Sequence, residues 1–281
     1  MNKIPVTVIV PVKNEEKNLP CFLPLLKDFD EVLVIDSQST DKTKEIVLSF
    51  GYVYINFEWN GHFPKKRNWA LRNVPIRNEW VFFVDADEFM TEEFLDNLKV
   101  VMKDTRDYVG FQINYRNVFL GKLLKYGIPT RKLALFKKSA GEYEKIEDDD
   151  VTGNYSGLEI HEHPILSGPI GQIDGYILHK EDKGITSYIQ KHNEYSNWEA
   201  RRFLKIKKDT YRVFTIRQKV KYAFIDSWWL GVVFFFYNYI WKLGFLDGKE
   251  GYIFATLKKH YFTNIKCKIE ELRILQQLKK N

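Results

Sequence analysis

The sequence predicts an α/β fold, a mostly parallel sheet flanked by helices, and three observations carry that expectation. Short apolar runs alternate with helical patterns through residues 4–103, the signature of βαβ units with right-handed crossovers. Two of those runs end in a carboxylate, Val32-Leu33-Val34-Ile35-Asp36 and Val81-Phe82-Phe83-Val84-Asp85, and ligands of such sheets sit at the carboxyl ends of the strands. The composition, 44% hydrophobic and 28% charged, is that of a globular chain able to bury a sizeable core.

The elements follow in order. Residues 4–12 read as a buried strand, followed by the polar turn Lys13-Asn14-Glu15-Glu16 and a helix over about 17–27. Residues 31–36 form a second strand. Ser37-Gln38-Ser39-Thr40-Asp41 then caps a helix reaching Phe50, with Gly51 as its C-terminal cap. A third strand covers 52–57, a helix 65–72 and a fourth strand 80–85, and Thr91 caps a helix to about Lys103. From 108 to 136 the pattern changes to extended segments broken by Gly121, Gly127 and Pro129, as in an α+β arrangement. Residues 141–157 are acidic and turn-rich, and 186–205 read as a helix.

The chemistry centres on Asp85-Ala86-Asp87-Glu88. Two carboxylates flanking a small residue, just past a buried strand, make a patch of hard oxygen ligands. Such a patch suits Mg²⁺ or Mn²⁺ and leaves coordination sites for diphosphate oxygens. A divalent cation there stabilises charge on a leaving phosphate. Inverting transfer to a hydroxyl also needs a general base, expected from a carboxylate in the second half of the chain. The alternative reading of each Asp, a cap on the next helix, explains one of them more easily than both. His179 follows the apolar Tyr176-Ile177-Leu178 and reads either as a satisfied core residue or as a further metal ligand, since neutral imidazole suits Mn²⁺.

Three segments, Ile9-Val10-Pro11-Val12-Lys13-Asn14-Glu15, Val34-Ile35-Asp36-Ser37-Gln38-Ser39-Thr40-Asp41 and Val84-Asp85-Ala86-Asp87-Glu88, resemble the N-terminal signatures of family 2 glycosyltransferases. Pro64-Lys65-Lys66-Arg67-Asn68-Trp69-Ala70 resembles the basic helix start between the second and third. Ile160-His161-Glu162, Leu178-His179, residues 188–195 and Gly244-Phe245-Leu246-Asp247-Gly248 are similar to the lipopolysaccharide-core β-1,4-glucosyltransferase group. The resemblance implies the GT-A nucleotide-sugar-binding fold. It places Pro11 and Asp36 around a nucleobase, Arg67 near the base or diphosphate, Asp85 near the ribose and Asp87 on the metal. Asn14, Glu15, Lys65 and Ala86 belong to the same nucleotide-sugar site, and His179 is the further metal ligand. Where many members carry an acidic pair as base, this chain has His161-Glu162. Glu162 is therefore the expected base, with the run Asp148, Asp149 and Asp150 as the alternative, and His161 orients it.

The net charge of +6 is unevenly spread: residues 201–281 hold 18 Lys/Arg against 6 Asp/Glu, so the first 200 residues are net acidic. The basic part also holds the block WWLGVVFFFYNYIW at 228–241, too short to span a bilayer, which takes about 20 apolar residues. Nine Lys/Arg precede it within 201–222. The combination predicts an interfacial helix on a membrane surface, with a buried core helix as the alternative. Nucleic acid is not an expected partner, because the aromatics form one apolar block and are not spaced as stacking platforms. The domains are then 1–205, the GT-A body, and 206–281, a basic, aromatic-rich helical region.

The first turn has neither a GxGxxG nor a glycine-rich phosphate loop, which argues against a Rossmann dehydrogenase and a nucleotidyltransferase. A processive polymer synthase would need several membrane spans. A non-enzymatic member of the same fold would not need Asp85, Asp87 and Glu162 together. Two distant cysteines, Cys21 and Cys267, make no disulfide framework, and no signal peptide is read at the N-terminus. The expectation is an inverting, metal-dependent hexosyltransferase, peripheral on the inner face of the cytoplasmic membrane. Its partners are a nucleotide-sugar donor and a saccharide or lipid-linked acceptor, within lipopolysaccharide core or a related glycan.

Overall fold

The structure is a computed structural model that describes residues 3–144, 163–181, 183–205 and 216–279. Glu162, His161 and the acidic run Asp148, Asp149 and Asp150 lie outside the described residues, as do Lys207 and Lys208. The chain divides into two compact units, one of 1–117 with 129–180, the other of 118–128 with 181–281.

Up to Glu181 the elements are β1 (Ile4–Val12), α1 (Leu19–Phe22), β2 (Phe29–Asp36), α2 (Thr43–Ser49), β3 (Val53–Asn56), α3 (Lys66–Asn73), β4 (Trp80–Phe83), β5 (Glu88–Met90), α4 (Glu92–Val101), β6 (Gly110–Phe119), β7 (Lys122–Leu123), β8 (Thr130–Lys137), β9 (Gly141–Tyr143), β10 (Pro164–Leu166) and β11 (Ile170–Glu181). The main sheet runs β3-β2-β1-β4-β8-β6-β11-β5. Its first four strands are parallel, and β8 is the first antiparallel partner, on β4. Within the parallel block β1, β2 and β4 are largely apolar on both faces because helices cover both. Val6, Val8, Val10 and Val12 of β1 pack with Leu19 and Phe22 of α1 and with Phe94 and Leu98 of α4. Ile9 points the other way, into the layer of Ala70 and Leu71 of α3.

Local chemistry sets the ends. The helix expected over 17–27 is instead the single turn α1 followed by a 3-10 turn, Leu23–Leu26. Pro20 and Pro24 each open one of these turns, where a missing N–H costs nothing, and neither could sit inside a continuous helix. Gly51, at φ +74°, closes α2 as expected. The Thr91 hydroxyl accepts the Phe94 N–H at 3.3 Å and caps α4.

The second unit is helical: α5 (Gly184–Lys205), α6 (Ile216–Phe224), α7 (Leu230–Phe236), a π turn (Tyr237–Trp241), a 3-10 turn (Gly244–Asp247) and α8 (Gly248–Leu278). Its core is Ala200, Tyr222, Ile225, Tyr261, Ile265 and Ile269. Ala200 of α5 belongs to this core. Among the described residues no helix is long and apolar enough to cross a membrane.

Candidate active site

The site is built where β1, β2 and β4 end. The loops after β1 and β2 are laced together by short polar side chains. Asn14 takes a left-handed φ of 54°, which Asn tolerates better than most residues. Its backbone N–H donates to the Ser39 hydroxyl at 2.7 Å, and its side-chain oxygen accepts the Thr40 N–H at 2.8 Å. The Glu15 N–H donates to the Thr43 hydroxyl at 2.9 Å, and the Glu16 N–H to Asp41 at 3.1 Å. Asp36 is wholly buried. It accepts the Ser39 N–H at 3.0 Å, the Ser39 hydroxyl, and the Tyr54 hydroxyl at 2.7 Å. Burial and the Asp36 charge push the Tyr54 phenol up to about 12. Asp36 thus braces this loop from beneath, while Pro11 and Glu15 are part-exposed and Asn14 is exposed above it.

β4 delivers the acidic turn. Its four residues are buried, and the Val84 N–H continues the ladder to the Ile9 carbonyl at 3.2 Å. Ala86 is buried in the main core, so the chain turns inward there and leaves Asp85 and Asp87 on either side. Arg67, from the first turn of α3, reaches Asp85 at 3.2 Å, and its guanidinium lies over the Tyr143 ring at 5.2 Å. Asn68 fixes that ring by bonding both the N–H and the carbonyl of Tyr143 at 2.8 Å. Lys65 is buried just before α3, and the Lys66 ammonium donates to the Val12 carbonyl at 3.3 Å, at the end of β1.

Glu88, the fourth residue of the motif, is 1% exposed. It accepts the Asp85 N–H at 3.1 Å and bonds the Lys132 ammonium, which also stands 3.8 Å from Asp85. Burial pushes the Glu88 carboxyl up. Burial also works to raise Asp85, but Arg67 and Lys132 outweigh it and hold that carboxyl below its usual range. Burial would lower Lys132, but Glu88 and Asp85 keep its ammonium above its ordinary value.

The sheet register brings in the imidazole. β11 pairs antiparallel with β5 so that His179 lies opposite Glu88, and the Lys180 N–H donates to the Asp87 carbonyl at 2.9 Å. His179 Nε2 is then 3.4 Å from Asp87 Oδ2, and Nδ1 is 3.3 Å from the Asn117 side-chain oxygen. Burial pulls this imidazole down, but Asp87 wins and holds it above its usual value. Among the described residues no three His, Cys, Asp or Glu side chains converge on one metal position. An Asp–His pair nevertheless fits a Mg²⁺ or Mn²⁺ site, because these ions keep several positions for waters and substrate phosphates.

Of the residues expected from sequence, Arg67, Asp85, Asp87 and His179 therefore come together. Pro11, Asn14 and Glu15 line the neighbouring loop, Asp36 lies beneath it, and Glu162 falls outside the described residues. Lys132, Asn117 and Tyr143 carried no local motif, since the first two act through contacts set by sheet pairing and Tyr143 through its bonds to Asn68.

Known proteins bear on this geometry. A family model described as glycosyl transferase family 2 matches residues 7–158. A lipopolysaccharide core biosynthesis glycosyltransferase, LpsC of Rhizobium meliloti, is 26% identical over 210 residues, covering 70% of this chain and 71% of that one. A glycosyltransferase of Rickettsia typhi is 24% identical over 258 residues, 90% of this chain and 82% of that one. Among solved structures, a mannosyltransferase of Pyrobaculum calidifontis in complex with GDP-Man and Mn²⁺ is 16% identical. It covers 96% of this chain and 89% of that one, at a TM-score of 0.48.

Proposed function

This chain belongs to glycosyl transferase family 2 and has the GT-A fold, and from that premise we propose that it is an inverting hexosyltransferase. It moves one sugar from a nucleotide-diphosphate donor to a saccharide acceptor in lipopolysaccharide core or a lipid-linked glycan. The supporting observation is the pair Asp87–His179 beside Asp85–Arg67 at the end of β4. It joins an oxygen and a nitrogen ligand to a cationic guanidinium, a combination suited to a diphosphate. The likeness to a lipopolysaccharide core enzyme supports the acceptor class.

In this reading Asp87 and His179 hold Mg²⁺ or Mn²⁺, which supplies positive charge for the leaving diphosphate. Asp85 faces the ribose, and Arg67 keeps it ionised and oriented while reaching toward the diphosphate. Pro11, Asn14, Glu15, Lys65 and Ala86 shape the nucleotide end, on the loop that Asp36 braces. Glu162 takes the proton from the acceptor hydroxyl as that oxygen attacks the anomeric carbon opposite the diphosphate. A membrane-borne acceptor gives the enzyme a peripheral place on the inner face of the cytoplasmic membrane.

The test is calorimetry of nucleoside diphosphate binding with and without Mn²⁺. Wild type should bind far more tightly with the metal, and Asp87→Ala should lose that difference. Equal affinity with and without Mn²⁺ in wild type would refute the reading.

A further inference from the structure

The second unit displays apolar side chains in an order that packing alone does not explain. Along residues 228–241 the exposed positions recur about every helical turn: Trp228 and Trp229, Val233, Phe236 and Tyr237, then Ile240 and Trp241. Trp229 and Trp241 are 71% and 77% exposed. The stripe continues past the helix in Leu243, Phe245 and Leu246. An ordinary surface helix shows its polar face to water, and single exposed apolar residues are common, whereas a continuous set marks a binding surface.

The opposite face of the same stretch is packed. A Cβ on Gly231 would lie 2.7 Å from the Lys259 carbonyl of α8, and the Phe234 and Phe262 rings stand 4.8 Å apart. The segment is therefore seated on α8 by one face, as a core helix would be, and still presents the other.

The polar residues of this stretch are turned inward. Asn238 is buried and its side-chain oxygen accepts the Ile128 N–H at 2.7 Å. Asp247 is buried and its carboxylate accepts the Lys125 and Tyr126 N–H groups, each at 3.0 Å. The Gly127 N–H donates to the Lys242 carbonyl at 2.9 Å. Between 228 and 248 the charged residues are Lys242 and Asp247, and the acid is the one withdrawn. The cations at the rim remain: Lys242, with its ammonium 5.5 Å from the Tyr237 ring centre, and the exposed Lys125 and Lys249.

We propose that the outer face of residues 228–246 is the surface that seats on an anionic phospholipid bilayer, its Trp, Phe, Ile and Leu side chains entering the interface and Lys125, Lys242 and Lys249 meeting the headgroups. This rests on the proposed membrane-borne acceptor and deepens it by naming the contact. Lipid is the occupant that the chemistry favours. Tryptophans and tyrosines mixed with aliphatics, rimmed by lysines, match a boundary where acyl chains give way to negative headgroups. The inward carboxylate removes the one group in the stretch that such a surface would repel.

The experiment uses the full chain and vesicles of neutral lipid, alone or with about one-third anionic lipid. Wild type should co-sediment with the anionic vesicles, and its tryptophan emission should shift to the blue on binding. Trp229→Ser, Trp241→Ser and Leu246→Ser together should weaken partitioning by more than tenfold, with unchanged thermal unfolding and unchanged Mn²⁺-dependent nucleoside diphosphate binding. Replacing Lys125, Lys242 and Lys249 with Gln should remove most of the salt dependence. If the triple Ser variant binds vesicles like wild type, this face is not the contact, although the membrane reading survives through another segment. If wild type binds no vesicle while nucleotide binding is intact, the lipid surface is refuted and the transferase reading stands. A wild-type dimer that the Ser variant converts to monomer, without vesicle binding, would make the face a self-association surface and overturn the proposal.

Discussion

Lys132→Met tests the electrostatic construction of the site. The Lys132 ammonium is the counter-ion of Glu88, whose side chain is 2% exposed against 39% for Lys132. Removing one partner of a buried pair strands the other and costs about 3–5 kcal/mol. Because water already reaches the lysine end, part of that cost is screened, and a loss of roughly 1–3 kcal/mol is expected. Glu88 would keep its bond from the Asp85 N–H and take up a proton more readily. Asp85 would retain Arg67 as its near cation and become less acidic. Glu88→Gln on the Lys132→Met background removes the stranded charge while keeping an acceptor for Asp85, so it should restore most of the stability. Urea unfolding of the four proteins of this cycle, at one pH near neutrality, measures the coupling. Lys132→Met as stable as wild type, or a double variant no more stable than Lys132→Met, would refute the argument that Glu88 is held as a buried carboxylate by this lysine.

Three further outcomes are expected. Glu162→Gln is nearly isosteric but cannot take a proton, so turnover in a transfer assay should fall by about 10²–10⁴-fold with donor affinity unchanged; normal turnover would move the role to Asp148, Asp149 or Asp150. His179 is held above its usual pKa by Asp87, so at any pH below that raised value a metal must displace its proton. Mn²⁺ affinity should therefore rise as pH increases through that raised value, and titrations of His179→Gln should show a flatter pH profile; the stability that the charged imidazole draws from Asp87 runs the opposite way, present below the unfolded pKa and lost as pH rises through the folded one. Gly251→Ala would place a methyl group 2.3 Å from the Gly244 carbonyl and should cost about 1–3 kcal/mol by overpacking, read as a lower denaturation midpoint.

Three strands of the parallel half, β1, β2 and β4, were legible because each carries a run of apolar residues that ends at a turn, and a run buried on both faces needs no partner information to be recognised. Asp85 and Asp87 were legible for the same reason: they stand at the end of such a run. The break of the first helix was written in Pro20 and Pro24 but was outweighed by the apolar spacing around them. Lys132 and Asn117 left no local trace, because antiparallel pairing of distant strands sets what they touch, and register is a property of two segments at once.

What the sequence by itself determined is the fold of the first unit, the family, and the identity of the acidic turn, all carried by patterns a few residues long. Tertiary structure alone decided that His179 lies against Asp87, that buried Glu88 shares Lys132 with Asp85, and that Asp36 sits beneath its loop. It also decided which side of the aromatic block is packed. The close approach of Gly231 to α8 buries one face, while Asn238 and Asp247 spend their polar atoms on the backbone of 125–128 and leave the aromatic face outward. Hydrophobicity along the chain reports how much apolar surface a segment has, but which of it meets water depends on where the rest of the chain supplies a partner.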